Sequence, residues 1–457
     1  MRILKLFAFL GLCIIVGSCN QNENMIAKIY SAASSDTTSY HNLRILCKNY
    51  PERLAGTPIS IKAIDFLQEI MEKENFDTVY LQECIVKHWD RGEKEIGKAI
   101  TSKGVELKLN VCALGNSIAT PKSGISSEVV EVKSFEELDK LGNDFIKGKI
   151  VFFSKAMDST KVNSFEGYSE VVGFRFSGAA VAARYGAEAV LVRSVTTRLD
   201  TFPHTGVMRY NDTIKPIPAF AISTVHANLL SKELAKEPKL KVFLKSDCKF
   251  LADEKSYNVI GEVTGSKFPN EVITVGGHLD SWDNTEGAHD DGGGLVQSID
   301  VWRIFKKIGY KPEHTLKVVM FIDEEMNQRG GEKYAELAKL NGEKHIFAIE
   351  SDAGCDRPIG FSFDLKESYQ KQIYSYRKYF EPYGATMFAN EGSGVDIEFL
   401  KEGHDAVLCA LITDPTHYFD YHHSGYDTFE RINIDYLNQG SAAMASLIYL
   451  VDKYGIK

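Results

Sequence analysis

The sequence predicts an α/β fold: a mainly parallel central sheet with helices on both faces, and a smaller α/β unit inserted into it. Three observations carry that reading. Beyond Tyr257, short apolar runs alternate with helical patterns, as strands buried on both faces require. Between about Ile118 and Leu244 a second series of short strand-like runs interrupts the first. Finally, His278, Asp290, Glu324, Glu325, Asp352 and His423 lie just after strand-like runs or in the loops between elements. An open α/β sheet delivers such positions to the carboxyl edge of its strands.

The chain starts with Arg2 and Lys5, an uncharged run from Leu6 to Val16, and then Val16-Gly17-Ser18-Cys19. That run is short for a membrane span and suits a secretory signal. The small residues ahead of Cys19 match a bacterial lipoprotein cleavage box. Cys19 would then carry the lipid of an exported protein, periplasmic or at the cell surface. A plain cleaved signal is the alternative. Residues 20–35 read as a polar tether.

A helical pattern runs from about Thr37 to Asn49, and Pro51 to Pro58 reads as a loop. Ile61, Ile64, Leu67 and Met71 then recur at helical spacing. Strand-like runs follow near Thr78–Lys87 and Leu107–Cys112. Residues 36–117 and 245–457 are assigned to the main domain, and 118–244 to the insert. Within the insert, Gly148–Phe153, Ala189–Val192 and Ile217–Ile222 read as strands, and the alanine-rich Gly178–Tyr185 as a helix. In the main domain the predicted strands are Val272–Val275, Leu316–Ile322, Ile346–Ile349 and Ala406–Leu408. Leu295, Ile299 and Trp302 mark one helix, and a final helix spans about Asp435–Tyr454.

With 457 residues the chain has room for a large domain and an insertion. A formal charge of −9 with no basic cluster argues against nucleic acid as the partner. Outside the signal the cysteines are Cys47, Cys84, Cys112, Cys248, Cys355 and Cys409, with no paired metal-ligand spacing. They read as small buried apolar residues.

The acid and histidine set explains itself chemically. Two divalent cations side by side need a bridging carboxylate and a shell of mixed nitrogen and oxygen donors. Imidazole together with carboxylate suits zinc, whereas an all-oxygen set suits magnesium or calcium. No cysteine is near these positions in sequence, which fits an open catalytic site better than a closed structural one. Of the adjacent pair Glu324-Glu325, one can bind metal while the other moves a proton. Asp280, two residues beyond His278, is placed to hold that imidazole.

These residues sit in longer motifs. They are Gly276-Gly277-His278-Leu279-Asp280-Ser281-Trp282-Asp283, Asp290-Asp291-Gly292-Gly293-Gly294, Asp323-Glu324-Glu325, Glu350-Ser351-Asp352-Ala353-Gly354 and His422-His423-Ser424-Gly425-Tyr426-Asp427-Thr428. Together they resemble the co-catalytic dizinc exopeptidases of metallopeptidase clan MH, and among them the carboxypeptidase Q group. The resemblance extends from about Arg53 to the C-terminus, and the insert resembles a protease-associated domain. It implies that His278 and Asp352 hold one zinc, that Glu325 and His423 hold the other, and that Asp290 bridges them. Glu324 would be the general base and acid, and a cis peptide would follow Asp290. His423 is preferred to His422 because it stands four residues before Asp427, as the family's ligand does. His204, Ser393 and Asp396 are candidate substrate contacts; each also reads as an ordinary loop residue. Trp282 and Trp302 read as core.

The expected activity is zinc-dependent hydrolysis of terminal peptide bonds in dipeptides or short peptides, of the carboxypeptidase Q type. An aminopeptidase of the same family is the alternative, and a homodimer is a further expectation. Two readings from other classes remain on the same scaffold: a binding protein without a working metal site, and a one-zinc acyl transferase.

Overall fold

The computed structural model describes residues 21–403 and 405–457. The signal segment, with Cys19, lies outside the described residues. The central sheet has eight strands: β1 (Thr78–Val86), β2 (Glu254–Val263), β3 (Phe268–His278), β4 (His314–Phe321), β5 (Lys344–Glu350), β6 (Pro358–Asp364), β7 (Met387–Ala389) and β8 (Val407–Thr413). Their spatial order is β1-β2-β4-β3-β5-β8-β6-β7. The middle block β4-β3-β5-β8 is parallel. Its apolar runs are covered on both faces, so Val272 to His278 and His314 to Phe321 are buried at every position. The flanks differ from a purely parallel expectation. β1, β2 and β4 pair antiparallel on one side, and β6 runs antiparallel to β8 on the other.

Six helices matter for the main domain: α1 (21–34), α2 (Thr38–Asn49), α3 (Pro58–Lys73), α4 (Gly293–Ile308), α5 (Arg329–Leu340) and α6 (Ile434–Tyr454). α3 begins where Thr57 accepts a hydrogen bond from the Ser60 amide and Pro58 fills the first turn. Its Ile64, Leu67 and Met71 are buried. α6 begins at Asn433, whose side chain accepts from the Asp435 and Tyr436 amides. α4 packs against both α6 and β3 and thereby fixes the loop ahead of it.

The first correction concerns the tether. Residues 21–34 form a helix, and Ile26, Ile29 and Ala33 are buried in the main core. Tyr30 stacks on Tyr383 at 3.5 Å between ring centroids, and Asn22 donates to the Tyr379 and Tyr454 hydroxyls. The polar residues of this segment conceal an apolar stripe at helical spacing.

The second correction moves the edge of the insert. The inserted unit has its own eight-stranded sheet, and Ile96–Ile100, Glu106–Leu109 and Val111–Ala113 belong to it. It therefore begins more than twenty residues before Ile118. Ile96–Ile100 pairs with Lys241–Lys245, and Val111–Ala113 with Ala219–Ile222, so these strands find their partners late in the insert. Its centre is a parallel block of Ile125–Val132, Ile150–Phe153, Ala189–Arg193 and Ala219–Ile222. A two-stranded ribbon, Trp89–Asp90 with Lys249–Phe250, ties together the two crossings between the units. The six cysteines among the described residues are buried and free. Trp282 is buried, and Trp302 packs against the main core. No helix among the described residues is long and apolar enough to cross a membrane.

Replacing Ile29 by Ala removes a fully buried side chain from the core and is expected to cost about 2–5 kcal/mol in urea unfolding. A loosely attached tether would leave the unfolding midpoint unmoved.

Candidate metal centre

The strands of the parallel block end at one rim, and the loops beyond them carry the site. His278 is the last residue of β3; Glu324 and Glu325 follow β4; Asp352 follows β5; His423 lies beyond β8; Asp290 sits ahead of α4. The two glycine runs are required by close packing around Asp291. A Cβ on Gly277 would lie 2.3 Å from Asp291 Oδ2, and one on Gly294 would lie 1.9 Å from the Ser351 carbonyl oxygen. With those atoms absent, Asp291 accepts hydrogen bonds from the His278 and Gly294 amides. Asp290 joins Asp291 through a cis peptide.

The structure brings the six side chains together. His278 Nε2 stands 3.1 Å from Asp290 Oδ1, 3.3 Å from Asp352 Oδ1 and 3.9 Å from Glu324 Oε2. On the other side, His423 Nε2 stands 3.3 Å from Asp290 Oδ2 and 3.1 Å from Glu325 Oε2. Asp290 therefore turns one oxygen toward each histidine. His422 Nε2 is farther away, 4.0 Å from Asp290 Oδ2, with its ring stacked on His423.

His278 Nδ1 lies 3.0 Å from the carbonyl oxygen of Asp280. A carbonyl only accepts, so Nδ1 donates its proton there and Nε2 is the nitrogen directed at the site. This corrects the role expected of Asp280. Its carboxylate oxygen is 4.0 Å from Nδ1, beyond hydrogen-bond reach. It accepts from the Glu324 amide instead, at 3.1 Å. The chain turns directly after β3, which folds the backbone rather than the side chain of Asp280 onto the imidazole.

The charge balance is unusual. Asp290, Glu324, Glu325 and Asp352 pair only with histidines among the described residues. Asp290 Oδ2, Glu325 Oε1 and Asp352 Oδ1 are buried without a hydrogen-bond partner. Burial, with the neighbouring carboxylates adding to it, pushes Glu324 and Glu325 well above the usual carboxylate range. Asp352 is raised for the same first reason, and burial plus the Asp352 charge lifts Glu350 to about 8. For Asp290, burial is outweighed by the hydrogen bond to His278 and the charges of His422 and His278, so its carboxyl is held low. Burial opposes protonation of His278, yet Asp352 and Asp290 hold it well above its ordinary value. Acids gathered at low exposure with no Lys or Arg among their ion-pair partners in the described residues, beside imidazole nitrogens, fit divalent cations. Three overlapping sets bring their ligand atoms within 4.8 Å of one another: His278/Glu324/Asp352, His278/Asp290/Glu325 and Asp290/His422/His423.

The other candidates fall differently. His204 is buried, with Nδ1 2.8 Å from the His422 carbonyl oxygen, so it meets backbone at the site's edge. Asp396 is fully buried, and both of its oxygens are without partners. A ligand in an open cleft has no access to it, which corrects its reading as a substrate contact. Its amide and that of Ile397 donate to Glu350 Oε2, so the loop wraps that acid. Ser393 is half-buried on the same loop. Sequence reasoning missed Arg53 and Asp427 as supports. Arg53 is buried and donates to the carbonyls of Leu279, Glu286 and Gly287. Asp427 accepts from the His289 and Asp290 amides. Their partners are backbone atoms, which no spacing in the sequence reveals.

Fold and site together define a metal-dependent hydrolase of the α/β class. Residues 258–448 match the profile of Peptidase family M28. Carboxypeptidase Q of Homo sapiens is 32% identical over 437 residues, covering 95% of this chain and 90% of the relative. The protein of the same name in Xenopus laevis is 34% identical over 414 residues, covering 90% and 85%. Among solved structures, a peptidase M28 precursor from Shewanella amazonensis superposes with a TM-score of 0.90 at 30% identity, covering 96% of this chain and 98% of that one. BSAP, a zinc aminopeptidase from Bacillus subtilis, shares the fold at a TM-score of 0.64 and 18% identity, covering 90% and 93%. The chain belongs to peptidase family M28 and is a peptide-hydrolysing metalloenzyme.

Glu324, Glu325, Asp352 and Glu350 are all raised above their unfolded values, so each favours the fold fully below about pH 4 and loses that contribution as pH rises through its folded value. Asp290 works the other way, and so do His204, His289, His422 and His423, which burial holds below the ordinary imidazole value, but these histidines add nothing more once pH exceeds about 6.5. Chelator-stripped protein is therefore expected to melt at progressively lower temperature between about pH 6.5 and pH 8, where only the raised carboxyls still titrate, and added zinc should cancel most of that decline. Thermal melts across pH with and without zinc check this; a stripped protein with a flat profile contradicts it.

Proposed function

We propose that this chain is a zinc-dependent exopeptidase of the carboxypeptidase Q type, hydrolysing terminal peptide bonds of dipeptides or short peptides. Two zinc ions are assigned, one to His278 and Asp352 and the other to Glu325 and His423, with Asp290 shared. The observation that carries the reading is Asp290, which presents one oxygen to each histidine, with Asp352 and Glu325 flanking the pair. The relatives named carboxypeptidase Q, similar over nearly the whole chain, support the exopeptidase reading.

Zinc at such a site supplies polarisation of the scissile carbonyl and a more acidic water. The chain's own groups do the rest. Glu324 keeps some exposure, faces His278 Nε2 across 3.9 Å and has its amide fixed by Asp280. It takes one proton from the attacking water as the new carbon–oxygen bond forms. It returns that proton to the amine nitrogen as the carbon–nitrogen bond breaks. Burial raises the affinity of Glu324 for a proton, which suits a group that must hold one between the two steps. The insert, read as resembling a protease-associated domain, packs against the loop carrying His422 and His423, which suits short peptides with a free end. The N-terminal segment supports export and lipid attachment at Cys19, which would place the enzyme against a membrane outside the cytoplasm; a homodimer belongs to the same reading.

Replacing Glu324 by Gln is expected to lower turnover by about 10²–10⁴-fold or more while zinc content stays unchanged. Full turnover in that variant would remove the assignment. A screen of free dipeptides against amino-blocked and carboxyl-blocked peptides, with and without chelator, reads the metal requirement and the terminus together. The carboxypeptidase reading expects cleavage that survives amino-blocking and fails on carboxyl-blocking.

A further inference from the structure

His423 and His422 are held from outside their own domain. His423 adopts a left-handed backbone, φ 61°, in a loop beyond β8. Two consecutive residues of the insert reach that loop. His204 Nδ1 lies 2.8 Å from the His422 carbonyl oxygen, and the Thr205 amide donates to the His423 carbonyl at 2.9 Å. Since a carbonyl accepts, His204 donates through Nδ1. Burial drops its pKa to about 4, so the ring is neutral at neutral pH and keeps a single fixed donor. His204 is itself anchored, its amide donating to Ser194 Oγ at the end of an insert strand. Thr205 is anchored through its hydroxyl to the Ala113 carbonyl.

The same loop is gripped nearby. Phe202 packs at 5.8 Å from the Tyr426 ring, and the Arg198 guanidinium sits 3.8 Å over it. Arg175, also from the insert, brings Nη1 to 3.4 Å from His423 Nδ1. A guanidinium only donates, so in the metal-free protein this contact favours the proton on His423 Nε2, and it must yield when Nε2 faces a cation. By contrast, the strand positions and the Asp280 carbonyl that orient His278 lie wholly within the main domain.

We propose that the inserted unit controls occupancy of the Glu325/His423 metal position through His204 and Thr205, and leaves the His278/Asp352 position to the main domain. His204 is thus a positioning residue, acting on the metal through the His422–His423 backbone. The proposal rests on the two-zinc reading above. The His423 ring also meets Trp282 of the main domain at 5.6 Å, but its backbone carbonyl is held by the insert, and losing groups that orient a ligand typically costs about 10–100-fold in metal affinity. Coupling of this kind is reciprocal: filling the second position must also tighten the contact between insert and loop.

The test uses the full chain, stripped by chelator and titrated with zinc against a competing chromophoric chelator. Wild type is expected to bind two ions. His204→Leu should weaken one of them by about 10–100-fold and leave the other unchanged. His204→Asn, whose side-chain amide can still donate to the His422 carbonyl, should recover most of the loss. Equal weakening of both ions, or of neither, overturns the proposal. Wild type binding a single ion overturns the two-zinc reading instead, and that outcome is distinct. Should His204→Leu fail to fold, hydrogen exchange in the wild type decides. Exchange in the peptide containing Thr205 should slow on the second equivalent of zinc and not on the first, and no change at the second equivalent refutes the control.

Discussion

Asp290 is the pivot of this molecule. Its two oxygens face His278 on one side and His423 on the other, and its amide is held by Asp427. Around it stand the buried Glu325 and the half-buried Glu324 and Asp352, with histidines as their only ion-pair partners among the described residues. Water cannot solvate such a group of acids once they are buried, and mutual repulsion makes the arrangement costly by itself. Divalent cations remove that cost. The stability of the rim and its chemistry therefore depend on the same electrostatic fact.

The scaffold makes the rim possible by dividing the labour. The parallel block supplies rigid strand ends, buried from Val272 onward in β3 and throughout β4. Orientation of the site is left to backbone hydrogen bonds just beyond those ends. Arg53 gathers three carbonyls of the loop after β3, Asp291 takes the His278 and Gly294 amides, and the Asp280 carbonyl sets the His278 tautomer. Each bond draws on a group the fold must satisfy anyway, so the geometry is fixed without a further polar side chain in the cleft. Glu324 is the exception. Its backbone is tied down while its carboxyl keeps some exposure, as a group that meets water and substrate requires.

The insert is more than a cover. Its residues 198–205 reach the loop carrying His422 and His423 by two hydrogen bonds, an aromatic contact and a cation over a ring. One of the two histidines flanking Asp290 is thus shared between units that the chain joins through a two-stranded ribbon.

Much of this was legible in the chain. Apolar runs such as Val272–Val275 and Leu316–Ile322 declare buried parallel strands, because no polar face interrupts them. The acids and histidines after those runs declare a rim chemistry, because catalysis on an open sheet gathers beyond its strand ends. Sequence alone thus determined the class of fold and the composition of the site. Tertiary structure decided what depends on distant partners. Residues 21–34 are a docked helix because a core awaits their apolar face, and Ile96–Ile100 joins the insert because its pairing strand comes about 140 residues later. Asp280 acts on His278 through its carbonyl, Asp396 is sealed from the cleft, and His204 grips backbone instead of substrate. A residue's type limits the bonds it can make, but the direction in which it points is set by every contact around it.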